Sequence, residues 1–551
     1  MRRKRFGGTT ASTMGMSDKG AAEAAGGSEG LRREVSVWGS YMWGFADVGA
    51  DTYVALGLVM AYAAGATSLA FGIAGLVYIL IGLAYTELAA TYPVAGGGQY
   101  FTARGLGDLW GFVAGSALLL DYTIDIALFS AASAGYLNFF LPKIIGVDVR
   151  VFTISLGPFR DVEYVWLFET LFLIALLVWL NVRGIRESSL LNEVIGVVVI
   201  TTEVGLVVFG FVAAWRPELF VFQWVHEFPN LTDFMYGTSL AIISFVGLES
   251  ISQAAQETRR PATIVPRTSI ALIFTVFLFA TALSTLGLGV RLPPQGDAIY
   301  PWQILGMNQD NPIAVLASGM PFIAIIAGPL TAAVGALILL ISANSGVMSA
   351  SRLTYSMSRF HFISEWFNEV HPKFGTPVRT ILIFTGIAVV QAILASLTGP
   401  KTLDTLGNMY AFGASTGYLL VFLSLIRLRF TDPYSPRPYK MPLNIRLRRA
   451  TGTVEFPALA VLGLLGISSI LVMVVWTHEI GRIAGPAWVL ACFGYYAWYR
   501  RSRKLPVLGT APRNWEQQQE EVLREAEEFD LLERYRAALA ARDRAIKGGS
   551  R

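Results

Sequence analysis

The sequence has little charge and almost no cysteine for its length. Only 15% of the 551 residues are charged, and Cys492 is the single cysteine, whereas soluble domains carry about 25% charged residues. One cysteine excludes a disulfide framework, and the four histidines fall in loops or at helix ends without metal-ligand spacing. The phosphate-binding motif G-x-x-x-x-G-K-[ST] of a primary pump is also missing. We expect no metal, no resident cofactor and no enzyme activity.

Long apolar segments fill most of the chain instead. Hydrophobic residues make up 54% of the sequence, and the mean hydropathy is +0.52. A helix of about 20 apolar residues crosses a hydrocarbon layer of about 30 Å and satisfies its own backbone hydrogen bonds there. The sequence therefore predicts an all-α membrane protein with about twelve transmembrane helices. The predicted spans are 37 to 62, 67 to 91, 107 to 140, 163 to 182, 190 to 214, 234 to 254, 268 to 290, 320 to 350, 378 to 398, 405 to 427, 456 to 477 and 484 to 500.

Basic residues concentrate in alternate loops between these spans. The net charge is +4, but its distribution follows the rule that cytoplasmic loops are rich in Lys and Arg. One such loop holds Arg427, Arg429, Arg437, Lys440, Arg446, Arg448 and Arg449. We expect a multi-pass protein of the plasma membrane with both termini in the cytoplasm, and a lipid bilayer, not nucleic acid, as its partner.

The sequence divides into three regions. Residues 1–33 are rich in Gly, Ala, Ser and charge, which predicts a disordered cytoplasmic tail, and residues 34–500 form the transmembrane domain. Residues 501–551 predict a cytoplasmic amphipathic helix that begins behind Asn514 as N-cap. We expect this helix to lie on the inner face of the bundle, although a homodimer contact is an alternative.

Acidic residues inside or at the ends of the spans are the main functional candidates. Each costs at least about 2.5 kcal/mol at the bilayer centre, and no Lys or Arg lies at mid-depth to neutralise them. Two pairs are spaced four apart and share a helix face, so bound protons or a bound cation are expected. Glu87 is expected to be a structural partner of loop arginines. The acidic residues are Asp47, Asp51, Glu87, Asp121, Asp125, Glu203 and Glu249.

Glycines interrupt the first and sixth spans. The first contains GFADVGADTYVALG and the sixth ISFVGLESISQ, and the two are related by a shift of five spans. Broken helices at corresponding places in two repeats expose backbone groups that hold substrate and ion near the membrane midplane. This pattern predicts broken helices at Gly49 and Gly247 and favours a transporter over a channel.

Several segments resemble the amino acid/polyamine/organocation permease superfamily. They are GADTYVALG, YTELAATYPVAGGGQYFTARGLG, FVGLESISQAAQETRRPATIVPR, ANSGVMSASRLTYSMSR and RPYKMPL, in this order. The resemblance implies two inverted five-helix repeats plus two added helices, a leucine-transporter-like fold, and secondary active transport of amino acids or related amines coupled to H⁺ or Na⁺. Where these permeases read Gly-Ser-Gly, this chain has Gly49-Ala50-Asp51, and Glu203 lies one turn beyond the position of a coupling lysine.

A second, local resemblance is to the potassium-uptake branch of the same superfamily. That branch has an Asp-Tyr pair in its third span, an Asp followed by a Tyr in its first, and a Tyr before Ala-x-Gly in its tenth. The alternative cargo is therefore potassium or another monovalent cation. The candidate substrate-binding residues are Gly49, Ala50, Asp51, Tyr53, Asp121, Tyr122, Asp125, Phe245, Gly247 and Tyr410. The candidate coupling-ion residues are Asp47, Glu203, Ser345 and Ser349, the two serines by resemblance to a sodium site.

Overall fold

The computed structural model describes residues 37–146, 149–156, 159–184, 188–253, 255, 258, 260–449 and 452–549. The predicted tail at 1–33 lies outside the described residues, as do Glu257 and Arg259 in the segment that follows the sixth predicted span. The division of the chain at residues 33 and 500 stays a prediction.

Long helices occupy the predicted spans in order. They are α1 (Val37–Ala63), α2 (Thr67–Thr91), α4 (Asp108–Asn138), α6 (Tyr164–Arg183), α7 (Ser188–Phe209), α9 (Leu231–Ala241) with α10 (Glu249–Gln253), α11 (Pro261–Gly289), α14 (Ala324–Arg359), α15 (Val378–Ser396), α16 (Thr402–Thr431), α17 (Ala458–Thr477) and α18 (Gly481–Ser502). Shorter helices fill the connections: α3 (Gly97–Leu106), α5 (Leu141–Ile145), α8 (Pro217–His226), α12 (Pro301–Met307) and α13 (Pro312–Ser318).

The lengths of these helices match membrane crossings. Ten helical stretches among the described residues are long and apolar enough to span a bilayer. The first, Val37–Thr91, has 55 residues and is divided by a 3₁₀ turn at Ala64–Ala66, so it supplies two spans. Helix α18 is 22 residues long but is not among the ten. The ten stretches supply eleven spans, and α18 is a twelfth long helix. The all-α membrane fold with about twelve spans is therefore confirmed.

Helix α4 forms the centre of the bundle. In the most apolar 18 residues of α4, 94% are buried, compared with 28% in the corresponding parts of α6 and α17. Helices α14 and α16 pack along α4, so the three helices form the core. Helix α6 instead exposes large apolar side chains such as Phe168. Lipid tails are as apolar as these side chains, which makes such helices stable at the perimeter.

Only one of the two predicted breaks is present. Helix α1 runs unbroken from Val37 to Ala63, so the prediction of a broken first span at Gly49 is wrong. Glycine permits a break without requiring one, and the small residues around Gly49 continue the helical hydrogen bonding. The sixth span is broken as predicted: α9 ends at Ala241, a 3₁₀ turn follows, and Gly247 has a φ of +105° before α10.

Two β-hairpins flank the bundle. One pairs β1 (Thr153–Leu156) with β2 (Phe159–Glu163), directly before α6. The other pairs β3 (Asn444–Arg449) with β4 (Gly452–Pro457), directly before α17. Both lie in segments that the sequence analysis left without structure. Each hairpin ends where a membrane-spanning helix begins.

The C-terminal region folds into two helices rather than the single one predicted. Asn514 caps α19 (Trp515–Glu525) as expected, because its side chain accepts a hydrogen bond from the Gln517 amide. The chain then turns at Glu527, which has a positive φ of +57°, before α20 (Phe529–Gly549). Gln519 donates to the Thr91 carbonyl at 2.9 Å, so α19 docks on the end of α2.

Candidate functional site

The unbroken first span determines how its aspartates are arranged. Asp47 and Asp51 lie one turn apart on α1, on the same face of a continuous helix. The Asp47 carboxyl faces the break in the sixth span, because a Cβ at Gly247 would lie 3.1 Å from its Cγ. It also lies within reach of the hydroxyls of Ser345 and Ser250. The predicted coupling residues Asp47 and Ser345 therefore come together.

Asp51 is a buried acid whose carboxyl group lacks protein partners in the described structure. Only 1% of it is exposed, and neither carboxylate oxygen has a hydrogen-bond partner in the described part of the chain. The acidic groups nearest to it electrostatically are Asp125, Asp47 and Asp121. An ionised carboxylate without donors is expensive to bury, so this position needs a proton or a cationic ligand.

The third and sixth spans share a pair of acids. The carboxyl groups of Asp121 on α4 and Glu249 on α10 lie next to each other. Tyr418 on α16 donates to Glu249 Oε2 at 2.8 Å, and the Gly247 amide donates to the same oxygen at 3.2 Å. Two neighbouring carboxyl groups can bond to each other only when one of them carries a proton, because an ionised carboxylate only accepts.

Asp125 lies between α14 and α16. The Tyr410 hydroxyl donates to its Oδ1 at 3.4 Å, which unites two residues that were predicted from separate spans. Gly346 of α14 makes room for the carboxyl group, because a Cβ there would lie 2.6 Å from Asp125 Oδ2. Two candidate site residues, one from the third span and one from the tenth, are thus in direct contact.

The two predicted tyrosines occupy different surroundings. The Tyr122 hydroxyl accepts a hydrogen bond from the Gln253 side chain, which ties α4 to α10. The Tyr53 ring packs against Tyr136 at a centroid distance of 5.7 Å, and the Tyr136 hydroxyl donates to the Tyr53 carbonyl at 2.9 Å. The buried Tyr53 hydroxyl has no partner among the described residues, so it is open to a ligand.

Four other candidate residues lie on the sixth span, α1, α7 and α14. Phe245 stacks on Tyr78 of α2 with ring centroids 5.1 Å apart. Gly49 is inside the continuous helix α1, and Glu203 is buried on α7 with one carboxylate oxygen unpartnered in the described structure. Ser349 is buried one turn beyond Ser345 on α14. Their assignments to the site stay predictions.

Together these contacts define an acidic cluster of five carboxyl groups in the middle of the bundle. All are at most 7% exposed, and within the described ranges none of them forms a salt bridge with Lys, Arg or His. Such a cluster favours protons, an alkali cation or an ammonium group over an anion. The acidic cluster consists of Asp47, Asp51, Asp121, Asp125 and Glu249.

Sequence reasoning missed the polar residues that surround this cluster. Tyr418 follows Tyr410 by eight positions, about two helical turns, so its shared face was detectable from spacing. Gln253 likewise follows Glu249 by one turn. Ser250 and Ser342, the other hydroxyls near Asp47, gave no signal, because serine is common in tightly packed membrane helices.

Glu87 has the structural role that was predicted for it. It is fully buried, accepts a hydrogen bond from Arg429 at 2.6 Å and forms an ion pair with Arg437 at 3.2 Å. The Met441 amide donates to it at 2.8 Å. This carboxylate is therefore neutralised by arginines at the end of α16 and in the loop that follows.

Comparison with known proteins agrees with a transporter of this architecture. The family model described as amino acid permease matches residues 36–497. The branched-chain amino acid permease BcaP of Bacillus subtilis is 25% identical over 80% of this chain and 88% of its own length. Cationic amino acid transporter 4 of Mus musculus is 27% identical over 71% of this chain and 59% of its own. The methylthioribose transporter of Bacillus subtilis is 25% identical over 75% and 85%.

A helical bundle with a broken sixth span and a polar centre defines the protein as a multi-pass membrane transporter. The match to the family model covers most of the chain. The protein belongs to the amino acid permease family.

Proposed function

We propose that this protein is a secondary transporter that carries an amino acid or a related amine by alternating access. The observation that carries the proposal is Asp51, whose two buried carboxylate oxygens have no protein partner in the described structure. An ammonium group has three donors and a positive charge, so it satisfies both the hydrogen bonding and the charge of this carboxylate.

The relatives support an amino acid as the class of cargo. Two of them are named for the transport of branched-chain and of cationic amino acids. A third is named for methylthioribose, so membership of the family does not by itself decide the cargo. In this chain, the surplus of carboxyl groups supports a substrate with a cationic group.

The continuous helix α1 bears on where a substrate carboxylate would bind. In an unbroken helix the amides near Gly49 are used within the helix, and at the break in the sixth span the Gly247 amide donates to Glu249. Few backbone donors therefore remain for an anionic group. We infer that amines and cationic amino acids are better cargo than neutral amino acids.

Potassium is the second candidate. Carboxylate and phenol oxygens of Asp125, Tyr410 and Tyr122 lie on neighbouring helices, and hard oxygen ligands can replace the hydration shell of an alkali cation. The same acidic cluster would serve either cargo. Direct measurement of transport separates the two.

Uptake into proteoliposomes tests both candidates. Labelled arginine, leucine, putrescine and rubidium are compared with wild-type protein and with Asp51→Asn, Asp121→Asn and the control Asp297→Asn, an exposed loop residue. We expect amine or amino-acid uptake that both cluster variants reduce at least tenfold and the control leaves unchanged. Normal uptake by both variants contradicts the site, and uptake of rubidium alone supports potassium.

We propose H⁺ or Na⁺ as the coupling ion. The proximity of Asp47 to Ser345 supports a sodium site, and the buried, unpartnered Glu203 supports a proton site. Uptake driven by a sodium gradient is expected to depend on Ser345 and Ser349, and uptake driven by a pH gradient on Glu203. Ser345→Ala and Glu203→Gln distinguish these alternatives, and uptake that needs neither gradient contradicts coupling.

We also propose a plasma-membrane location with both termini in the cytoplasm, no enzymatic activity, and a possible homodimer. The cations in the loop after α16 support the orientation. Single cysteines introduced at Ser502 and Asp297 in a Cys492→Ala background test it with an impermeant maleimide. In intact cells Asp297→Cys should be labelled and Ser502→Cys protected, and the reverse pattern contradicts the orientation.

A further inference from the structure

A basic cleft lies between the end of α16 and the hairpin β3–β4. It has a volume of about 600 Å³ and is lined by Arg429, Arg437, Lys440, Arg446, Arg448 and Glu455. None of these residues belongs to the acidic cluster of the transport site. The basic cleft is therefore a separate feature that the proposed function does not explain.

The cations of the basic cleft are only partly neutralised. Arg429 and Arg437 are held by the buried Glu87, and Lys440 contacts Glu455 at 2.7 Å. The hydrogen bond from Lys440, aided by the charges of Arg429 and Arg446, lowers the pKa of Glu455, which is therefore ionised at neutral pH. Five cations against two carboxylates leave a surplus of three positive charges, which suits an anion.

The two exposed arginines lie on one face of the hairpin. Arg446 and Arg448 alternate along β3 with Ile445 and Leu447, so the cationic and apolar side chains lie on opposite faces. The apolar face also carries Phe456, which is paired with Ile445 on β4. The hairpin is thus amphipathic, with a cationic face and an apolar face.

The position of the hairpin relative to the membrane indicates which kind of anion the basic cleft binds. β4 ends at Pro457, and the membrane-spanning α17 begins at Ala458. Ile445 and Leu443 are 53% and 69% exposed in the protein alone, next to this point of membrane entry. An apolar face beside a span packs on acyl chains, while cations on the other face reach the headgroup layer.

We propose that the basic cleft binds the phosphate headgroup of an anionic phospholipid in the adjacent leaflet. Arg446 and Arg448 contact the phosphate, Arg429 and Arg437 supply positive potential from the wall, and the apolar face of the hairpin packs beside the acyl chains. A soluble phosphate compound would use the arginines but not the apolar face, so lipid is the ligand that uses both.

Lipid binding to the full-length protein tests this site without any transport measurement. Phosphatidylglycerol and phosphatidylcholine are titrated onto delipidated protein in detergent, and bound lipid is counted by native mass spectrometry. Each basic residue near a membrane surface contributes about 1 kcal/mol, so Arg446→Gln with Arg448→Gln should weaken phosphatidylglycerol binding about 30-fold. Arg446→Lys with Arg448→Lys should keep most of the affinity.

A matched control removes the same charge elsewhere. Arg501→Gln with Arg503→Gln takes two exposed arginines from the end of α18 and should leave binding within about twofold. Equal weakening by both double variants, or none by either, overturns the site. Glycerol 3-phosphate that competes as strongly as intact lipid also overturns it, because the apolar face would then contribute nothing.

The proposed lipid site and the proposed transport function are tested by independent measurements, so either can be contradicted without the other. If the protein transports no amine, the specific loss of phosphatidylglycerol binding remains measurable. If transport is confirmed but the arginine variants bind lipid normally, only the lipid site is wrong.

Discussion

Glu87 and Asp51 are both buried carboxyl groups in membrane-spanning helices, yet their surroundings are opposite. Glu87 accepts hydrogen bonds from Arg429 and a backbone amide and forms an ion pair with Arg437. Asp51 has no partner in the described structure and lies near other acids. Removing one partner of a buried ion pair is destabilising, whereas a buried acid without a partner is retained at a cost and indicates a ligand.

Glu87→Gln should destabilise the protein more than any single change in the exposed loop charges. The substitution removes the buried counter-charge of Arg429 and Arg437, whose side chains are at most 5% exposed. Breaking a buried ion pair costs about 3–5 kcal/mol. We expect a clear fall in the unfolding temperature of the detergent-solubilised protein.

The control is Glu455→Gln, which removes a partly exposed carboxylate that contacts Lys440 at 2.7 Å and Arg429 only at 3.9 Å. Such pairs contribute about 0–1 kcal/mol, so its unfolding temperature should stay near that of wild type. A Glu87 variant as stable as this control would contradict a structural role for Glu87.

His478, directly after α17, is the histidine that burial affects. Burial lowers its pKa to about 4, although the nearby backbone of Asn408 and Tyr236 acts the other way. Its Nε2 lies 2.7 Å from the Ser239 hydroxyl, and its ring packs against Tyr236 at 4.4 Å. The folded protein therefore holds this imidazole neutral at neutral pH.

His478 should make the folded state less stable as the pH falls. Between its usual pKa of 6.5 and about 4, the unfolded chain binds a proton that the folded chain does not. The free energy of unfolding therefore decreases as pH is lowered through this window, by about 3 kcal/mol at most. Above pH 6.5 the group contributes no pH dependence.

The measurement is the unfolding temperature from pH 7.5 to 4.5 for wild type, His478→Asn and His226→Asn. His478→Asn should lower the temperature at neutral pH, because the packing is lost, but should flatten its dependence on pH. His226 is exposed, so His226→Asn should keep the wild-type slope. Identical slopes for all three proteins would rule out His478 as the cause.

The sixth and first spans show how similar glycine patterns give different elements. Gly247 has a φ of +105°, a conformation that costs an L-residue about 1–3 kcal/mol. Gly49 lies in ordinary helix, where alanine is preferred to glycine by about 1 kcal/mol. The difference is set by tertiary contacts, not by the local sequence.

Gly247→Ala and Gly49→Ala should therefore have opposite consequences. At Gly247 the added Cβ would lie 3.1 Å from the Asp47 carboxyl carbon, which displaces Asp47 and should reduce uptake at least tenfold. At Gly49 it meets only the tip of the Phe45 ring at 3.0 Å, which can shift. We expect Gly49→Ala to keep uptake within about twofold in proteoliposomes. Equal losses would mean that α1 is broken during transport.

The sequence predicted the spans and most acids of the acidic cluster, because a charged residue within an apolar segment can be recognised without knowing how the helices pack. It could not predict that Asp121 lies beside Glu249, since their proximity depends on how α4 packs against the broken sixth span. The sequence also did not predict that the C-terminal region forms two helices, because the turn at Glu527 uses a positive φ in a residue that is not glycine. Local patterns identify the elements, and packing decides their contacts.

At the scale of the whole molecule, the acidic cluster joins α1, α4 and the sixth span through charges that no protein cation balances in the described structure. A cationic cargo should therefore bind and stabilise the assembled bundle. Binding to the folded state alone adds about 2.7 kcal/mol at 100 times the Kd. Saturating cargo should raise the unfolding temperature of the wild-type protein in detergent, in a concentration-dependent way.

The variants and a second cation make this result specific. Asp51→Asn removes the unpartnered carboxylate and should abolish the cargo-dependent rise, while Asp297→Asn should keep it. Choline carries a positive charge but no N–H donor, so it should stabilise less than an amine of similar size if hydrogen bonds to Asp51 contribute. Equal stabilisation by choline, or a full rise in Asp51→Asn, would mean that the cluster attracts cations only by its net charge and that cargo is recognised elsewhere in the bundle.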